Sequence, residues 1–224
     1  LVHDLRSPVS AVLGSLDFIE EEMKEAQVHL GEPARQAIQI ARRSAGRILG
    51  MVENLLDIAG FKSGLMDLNL ENIDLRQLVE GVFQDYRVQI REYRIEVRNE
   101  VPGDLPPACG DLNRLRRVIA NLVDNALKFT SAGGWVRITA WRHAKESLVV
   151  RVQDSGSGVP EAYRERIFDR FGQVPGQAGR RRGTGLGLAY CRLAVEAHGG
   201  RIWFEAPEEG GSAFVFTLQV AGNE

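Results

Sequence analysis

Apolar residues in the first sixty positions recur at alternating steps of three and four. One seam runs through Val2, Leu5, Val9, Val12, Leu16, Ile19, Met23, Ala26 and Leu30. A second runs through Ala34, Ile38, Ala41, Ala45, Ile48, Val52, Leu55 and Ala59. That spacing keeps one stripe of a helix against a partner, so each seam predicts a helix of heptad type. Gly31-Glu32-Pro33 separates the two, making residues 1–60 a helical hairpin. Two helices cannot enclose a core alone, so the hairpin is expected to pair with a second copy as a four-helix bundle, a homodimer through residues 1–60.

Residues 61–73 contain Gly64 and little helical pattern, and are expected to form a hinge. Periodicity resumes after Asp74, a predicted cap, through Leu75, Leu78, Val79, Val82, Phe83, Tyr86 and Ile90. Ile95 and Val97 alternate with charged neighbours as in a strand. Pro102 to Gly110 reads as a loop, and Asp111 opens a further helix. Val136, Ile138 and Ala140, then Val150 and Val152, predict paired strands. A helix from about Leu186 to Ala197 ends at His198-Gly199-Gly200, and two strands follow near Arg201–Glu205 and Ala213–Val220. Residues 74–222 are therefore expected to be a two-layer α/β sandwich, with helices on one face of a largely antiparallel sheet.

The 224 residues are 44% hydrophobic and 26% charged, values of an ordinary soluble protein. A net charge of −2 supplies no global attraction to nucleic acid or to an anionic membrane. No apolar run reaches membrane-span length, so no direct membrane contact is expected of this stretch. Cys109 and Cys191 lie far apart without metal-ligand spacing, which fits a reducing, cytoplasmic compartment. The sequence opens at Leu1-Val2-His3 inside a helical pattern and without Met, so it reads as part of a longer protein whose preceding region can hold a membrane anchor.

Three stretches carry candidate chemistry. In Asn121-Leu122-Val123-Asp124-Asn125-Ala126-Leu127-Lys128-Phe129-Thr130, the two asparagines stand four apart on one helix face, with Lys128 a turn further on. Amide oxygens suit a hard cation and an ammonium suits phosphate, so this edge fits a metal-bound polyphosphate; a merely solvated face is the alternative. Asp154-Ser155-Gly156-Ser157-Gly158-Val159 follows a strand. There a carboxylate can accept an adenine amino group while glycines let the backbone approach the ring, although an ordinary Asp/Gly turn reads the same way. Gly183-Thr184-Gly185-Leu186-Gly187-Leu188 opens an apolar helix, where successive N–H groups form an anion site. Neither a P-loop nor a serine/threonine-kinase catalytic loop occurs. Between these turns, Gly172 to Arg182 is long enough for a lid, with Arg180, Arg181 and Arg182 either closing over phosphates or solvated. Near the start, His3 flanks the seam beside Asp4, with Pro8 removing the partner of the Asp4 carbonyl. His3 is thus either a surface histidine or a nucleophile.

In order, these stretches resemble the catalytic core of a bacterial sensor histidine kinase over essentially the whole chain. His3-Asp4-Leu5-Arg6-Ser7-Pro8 is similar to the phospho-acceptor box, Asn121 to Thr130 to the N box, and Asp154 to Val159 to the first glycine box. Ile167-Phe168-Asp169-Arg170-Phe171 is similar to the F box and Gly183 to Leu188 to the second glycine box. Glu196-Ala197-His198-Gly199-Gly200 and Gly210-Gly211-Ser212 also stand where such domains carry them. The resemblance implies that His3 takes the γ-phosphoryl group of ATP, assisted by Asp4, and passes it to an aspartate of a response regulator receiver domain. Asn125, with Asn121 close by, would bind Mg²⁺, and Lys128 would contact phosphate. Asp154 would hold adenine, with Gly156 and Gly158 in its turn. Gly183, Thr184, Gly185, Leu186, Gly187 and Leu188 would line the phosphates. Phe168 and Phe171 would brace the lid or dock the ATP domain, or else are two core aromatics. Three positions depart from the common pattern. Asp4 replaces Glu, Ser7 stands where members with phosphatase activity have Thr or Asn, and Arg117 replaces Gln. A gyrase- or chaperone-type ATPase would place a Glu where this chain has Asn121, and a degenerate scaffold would not need Asn125 and Asp154 intact.

Overall fold

The structure, a computed structural model, describes residues 3–25, 31–62, 67–172 and 185–222. The chain divides into two compact units, Leu1–Gly60 and Phe61–Glu224. The first is built from α1 (His3–Glu25) and α2 (Glu32–Lys62). Gly31 starts α2 by accepting the N–H groups of Ala34 and Arg35 at 3.1 and 3.2 Å. The backbone of α1 stays helical through Pro8. Arg42 reaches Asp17 at 2.7 Å, an exposed pair that lays the two helices side by side. Of the seam residues, Ala45 and Val52 are buried, whereas Val12, Ile19 and Ile48 remain 50%, 43% and 48% exposed. One copy of the hairpin therefore covers only part of its own apolar stripe. Val2, Ala26 and Leu30 lie outside the described residues.

The second unit runs β1 (Glu71–Ile73), α3 (Leu75–Asp85), α4 (Arg87–Tyr93), β2 (Glu96–Glu100), β3 (Ala108–Gly110) and α5 (Leu112–Phe129). It continues with β4 (Trp135–Ala144), β5 (Ser147–Asp154), α6 (Gly187–Ala197), β6 (Ile202–Glu205) and β7 (Ser212–Val220). Two short 3-10 turns, Glu161–Tyr163 and Arg166–Phe168, precede α6. The strand order is β1-β3-β7-β5-β4-β2, with β6 also on β7. All pairs are antiparallel except β2 with β4. Alternation along the strands sends Val136, Ile138, Val150, Val152 and Phe216 into one core with the apolar faces of α3, α5 and α6. Among the described residues no helix is long and apolar enough to cross a membrane.

Three local features differ from expectation. The stretch read as a connector contains β1, and the loop read before Asp111 contains β3; they pair Glu71 with Gly110 and Ile73 with Ala108. Three-residue strands are too short to display alternation, and their partners are distant in sequence. The helix expected through Ile90 breaks at Tyr86, whose φ of −93° and ψ of 5° separate α3 from α4.

Leu122 is fully buried in this core, whereas Leu112 is 40% exposed at the start of the same helix. Leu122→Ala is expected to cost about 3 kcal/mol in denaturant unfolding. Leu112→Ala should stay within about 0.5 kcal/mol of the parent.

Candidate nucleotide site

The asparagine helix is placed by its cap and its apolar face. The Asp111 carboxylate accepts the Arg114 N–H at 3.0 Å, and a second oxygen accepts the Asn69 N–H at 3.2 Å. Leu115, Val118, Ile119, Leu122, Val123, Ala126 and Leu127 are buried. With that face committed to the core, Asn121, Asn125 and Lys128 are left partly buried on the opposite edge. Lys128 is paired with the Asp124 carboxylate one turn back, an acid that sequence reasoning had not singled out. Asn121 Nδ2 is buried without a hydrogen-bond partner among the described residues. The amide faces the buried Cys191 thiol of α6, which offers it only a weak sulfur acceptor.

Helix α6 lies antiparallel on α5. Asp111 meets His198, Arg117 meets Tyr190, Cys191 meets Val118 and Asn121 meets Gly187. The Cys191 thiol donates to the Val118 carbonyl at 3.6 Å. Burial pushes that thiol up to about 12, with the nearby Asn121 amide and the Arg117 charge opposing. Cys191 is thus an inert packing group. Arg117, unexplained in sequence, lays its guanidinium over the Tyr190 ring at 4.5 Å. At Gly187 a Cβ would sit 3.3 Å from Asn121 Oδ1, so the first residue of α6 is held close to the asparagine helix. Leu186 is buried and Leu188 half-buried.

The turn before α6 is anchored by the F-box segment. Gly185 has a φ of +70°, and a Cβ there would lie 2.7 Å from Phe171 Cα. Its carbonyl accepts the Phe171 N–H at 2.9 Å. Phe168 is a core aromatic, packed edge-on to Phe214 with ring centroids 6.1 Å apart and the Arg192 guanidinium 5.0 Å from its ring centre. Phe171 is 63% exposed, so of the two only Phe171 is placed to meet another surface. Gly183, Thr184, Arg180, Arg181 and Arg182 lie outside the described residues.

Asp154 ends β5 and is 2% exposed. It accepts the Gly156 N–H at 2.8 Å and is bonded by both the backbone and the hydroxyl of Ser212, its cross-strand neighbour on β7. Burial pushes its carboxyl up to about 6, against the pull of those bonds. Gly156 is sterically required, since a Cβ would fall 2.5 Å from the Phe129 carbonyl oxygen. Gly211, with a φ of +82°, would put a Cβ 1.9 Å from the Asp154 carbonyl oxygen. Ser212 and Gly211 thus shape this end of the site, through a strand register that sequence spacing does not reveal. Gly158 adopts a φ of +71° in the same turn. His3, Asp4 and Ser7 lie in the first two turns of α1, in the other unit.

Residues 110–222 match the family described as histidine kinase-, DNA gyrase B- and HSP90-like ATPases, and residues 1–64 match the His Kinase A phospho-acceptor domain. The adaptive-response sensory kinase SasA of Synechococcus sp. (strain JA-3-3Ab) is 32% identical over 98% of this chain and 58% of its own length. Hybrid signal transduction histidine kinase D of Dictyostelium discoideum is 33% identical over 99% of this chain and 14% of its own. The chain therefore spans little more than half of the SasA relatives and far less of the hybrid kinase. Among solved structures, full-length ShkA in complex with AMPPNP is 29% identical with a TM-score of 0.81, covering 100% of this chain and 46% of that one. ThkA in complex with the response regulator protein TrrA is 26% identical with a TM-score of 0.67, over 98% of this chain and 59% of that one. With a phospho-acceptor domain and a nucleotide domain matched in that order along one chain, the protein belongs to the two-component sensor histidine kinases and comprises their phospho-acceptor and ATP-binding domains.

Proposed function

We propose that this chain is an ATP-dependent protein histidine kinase core that phosphorylates its own His3. The observation that carries the reading is that a buried carboxylate, Asp154, and the close approach of Gly187 to Asn121 occur in one glycine-turned domain. Asp154 receives the adenine amino group, and Gly156 and Gly158 admit the ring. The turn through Gly185, Leu186, Gly187 and Leu188 presents N–H groups to the phosphates, with Gly183 and Thr184 before it. Lys128 exchanges Asp124 for phosphate charge.

Mg²⁺ fits this donor set. Among the described residues no three His, Cys, Asp or Glu side chains cluster as a metal site. Mg²⁺ asks for few protein ligands when phosphates and water supply the rest. Asn125, with Asn121, would hold it, and bound there it would neutralise charge on the β- and γ-phosphates.

In the transfer step the neutral imidazole of His3 attacks the γ-phosphorus, the bond to the bridging oxygen breaks and ADP leaves. Neutral imidazole is already nucleophilic, so Asp4 serves mainly to orient it and to stabilise the charge that develops. Phosphate then passes to an aspartate of a response regulator receiver domain, and Ser7 can hold the water that hydrolyses that aspartyl phosphate to inorganic phosphate in a phosphatase reaction. The segment between α2 and β1, within residues 61–73, acts as the hinge between the hairpin and the nucleotide domain, Phe171 supplies a docking contact, and Arg180, Arg181 and Arg182 close over the phosphates. A second hairpin covers the exposed seam at Val12, Ile19 and Ile48. The compartment is the cytoplasm.

Incubation with γ-labelled Mg-ATP should give acid-labile, base-stable label that His3→Gln abolishes; sustained hydrolysis without phosphoprotein would mark a different ATPase. Light scattering at micromolar concentration should return twice the chain mass. ADP affinity should also depend on pH. Asp154 titrates near 6 in the free domain, and an adenine donor favours its ionised form. Affinity should therefore be level above pH 7 and about tenfold weaker at pH 5, a slope that Asp154→Asn removes along with much of the affinity. The raised carboxyl contributes the opposite slope to the free domain's stability, favouring the fold below pH 4 and losing that contribution as pH rises through 6.

A further inference from the structure

The interface between α5 and α6 is tied most closely at its two ends, with only the long Cys191–Val118 bond and the Arg117–Tyr190 stacking between them. Its middle is lined by Leu115, Val118, Leu122, Ala194 and Val195, all buried. Apolar packing of this kind does not by itself choose a register. A slide of one residue would move a helix about 1.5 Å along its axis and turn it by about 100°. The pocket end holds the close contact of Asn121 with Gly187. The far end is closed by His198.

His198 is buried, and both of its ring nitrogens are engaged. Nε2 accepts the Asp111 N–H at 2.9 Å, and Nδ1 lies 2.6 Å from the Ala194 carbonyl oxygen. A nitrogen facing an N–H must accept and one facing a carbonyl must donate, so the ring is neutral with its proton on Nδ1. The imidazolium would point a second N–H at the Asp111 N–H. Room for the ring depends on Gly110, where a Cβ would come within 3.1 Å of His198 Cδ2 and 2.5 Å of Leu115 Cδ1. The partner, Asp111, is itself immobilised as the α5 cap and by Asn69. The imidazole therefore bonds the last turn of α6 to the first residue before α5.

We propose that His198 is a positioning residue for the nucleotide. By fixing α6 in register on α5, it sets where the phosphate-binding turn at Gly185–Gly187 stands relative to the adenine-binding Asp154. This rests on the nucleotide reading above. Asp154 belongs to β5, so a shift of α6 would disturb the phosphate end and leave the adenine end in place. A residue that only supported the fold would affect both ends alike.

The test compares AMPPNP with adenosine in NMR titrations of the whole chain, as wild type, His198→Leu, His198→Gln and His198→Asn. Leu keeps neither bond, Gln keeps an acceptor for the Asp111 N–H, and the shorter Asn reaches only the Ala194 carbonyl. His198→Leu should bind AMPPNP about tenfold more weakly while adenosine changes by less than about twofold. Gln should recover most of the AMPPNP loss and Asn should not, a comparison that stands even if the Leu variant fails to fold. Equal losses for both ligands, or Gln and Asn variants that cannot be told apart, would overturn the assignment. A wild-type chain that binds neither ligand would overturn the nucleotide reading itself, and this assignment with it.

Discussion

The nucleotide domain depends on the burial of one face of α5. Burying each large aliphatic side chain there is worth about 2 kcal/mol. That gain holds the helix against the sheet with only one orientation available to its polar edge. Asn121, Asn125 and Lys128 need no separate device to aim them, because the seven buried residues of α5 already set the helix rotation. The cost appears as the Asn121 amide, whose buried nitrogen has only the Cys191 thiol to turn to. Native interiors tolerate few such groups.

Close backbone approach is the second constraint. Gly156, Gly185 and Gly211 stand where a Cβ would collide with the Phe129 carbonyl, the Phe171 backbone or the Asp154 carbonyl. These contacts make three pairings between segments separated in sequence. The end of α5 meets the Asp154 turn, the F-box segment meets the start of α6, and the Gly210-Gly211-Ser212 turn folds over Asp154. Ser212 then supplies two of the bonds that keep a buried carboxylate from being wholly uncompensated. The pocket is thus shaped as much by excluded side chains as by present ones.

In the helical unit the balance is reversed. Among the described residues there is no sheet, the one cross-helix ion pair is exposed, and much of the apolar stripe still faces water. A surface of that kind gains stability only from a partner with the same spacing. The two units therefore pose different physical problems: the first has an unfinished apolar seam, the second a closed core with an unfinished polar edge.

Much of this was legible in the sequence because it is local. Heptad steps marked α1 and α2, Asp74 and Asp111 announced the caps of α3 and α5, and alternation marked β4 and β5 as paired strands, though not their register. The asparagine spacing and the glycine turns are likewise short-range patterns, which is why the family could be recognised from them. What the tertiary structure alone decided involves partners far apart in the chain. The strands β1 and β3 exist by pairing with each other and with β7, Phe168 is a core residue because Phe214 stands beside it, and Arg117 has a role because Tyr190 lies opposite. His198 reads in sequence as the end of a helix and in the fold as a clasp on Asp111, 87 residues away. Periodicity and capping follow from backbone geometry within a few residues, whereas register between elements follows from side-chain contacts that no local pattern encodes.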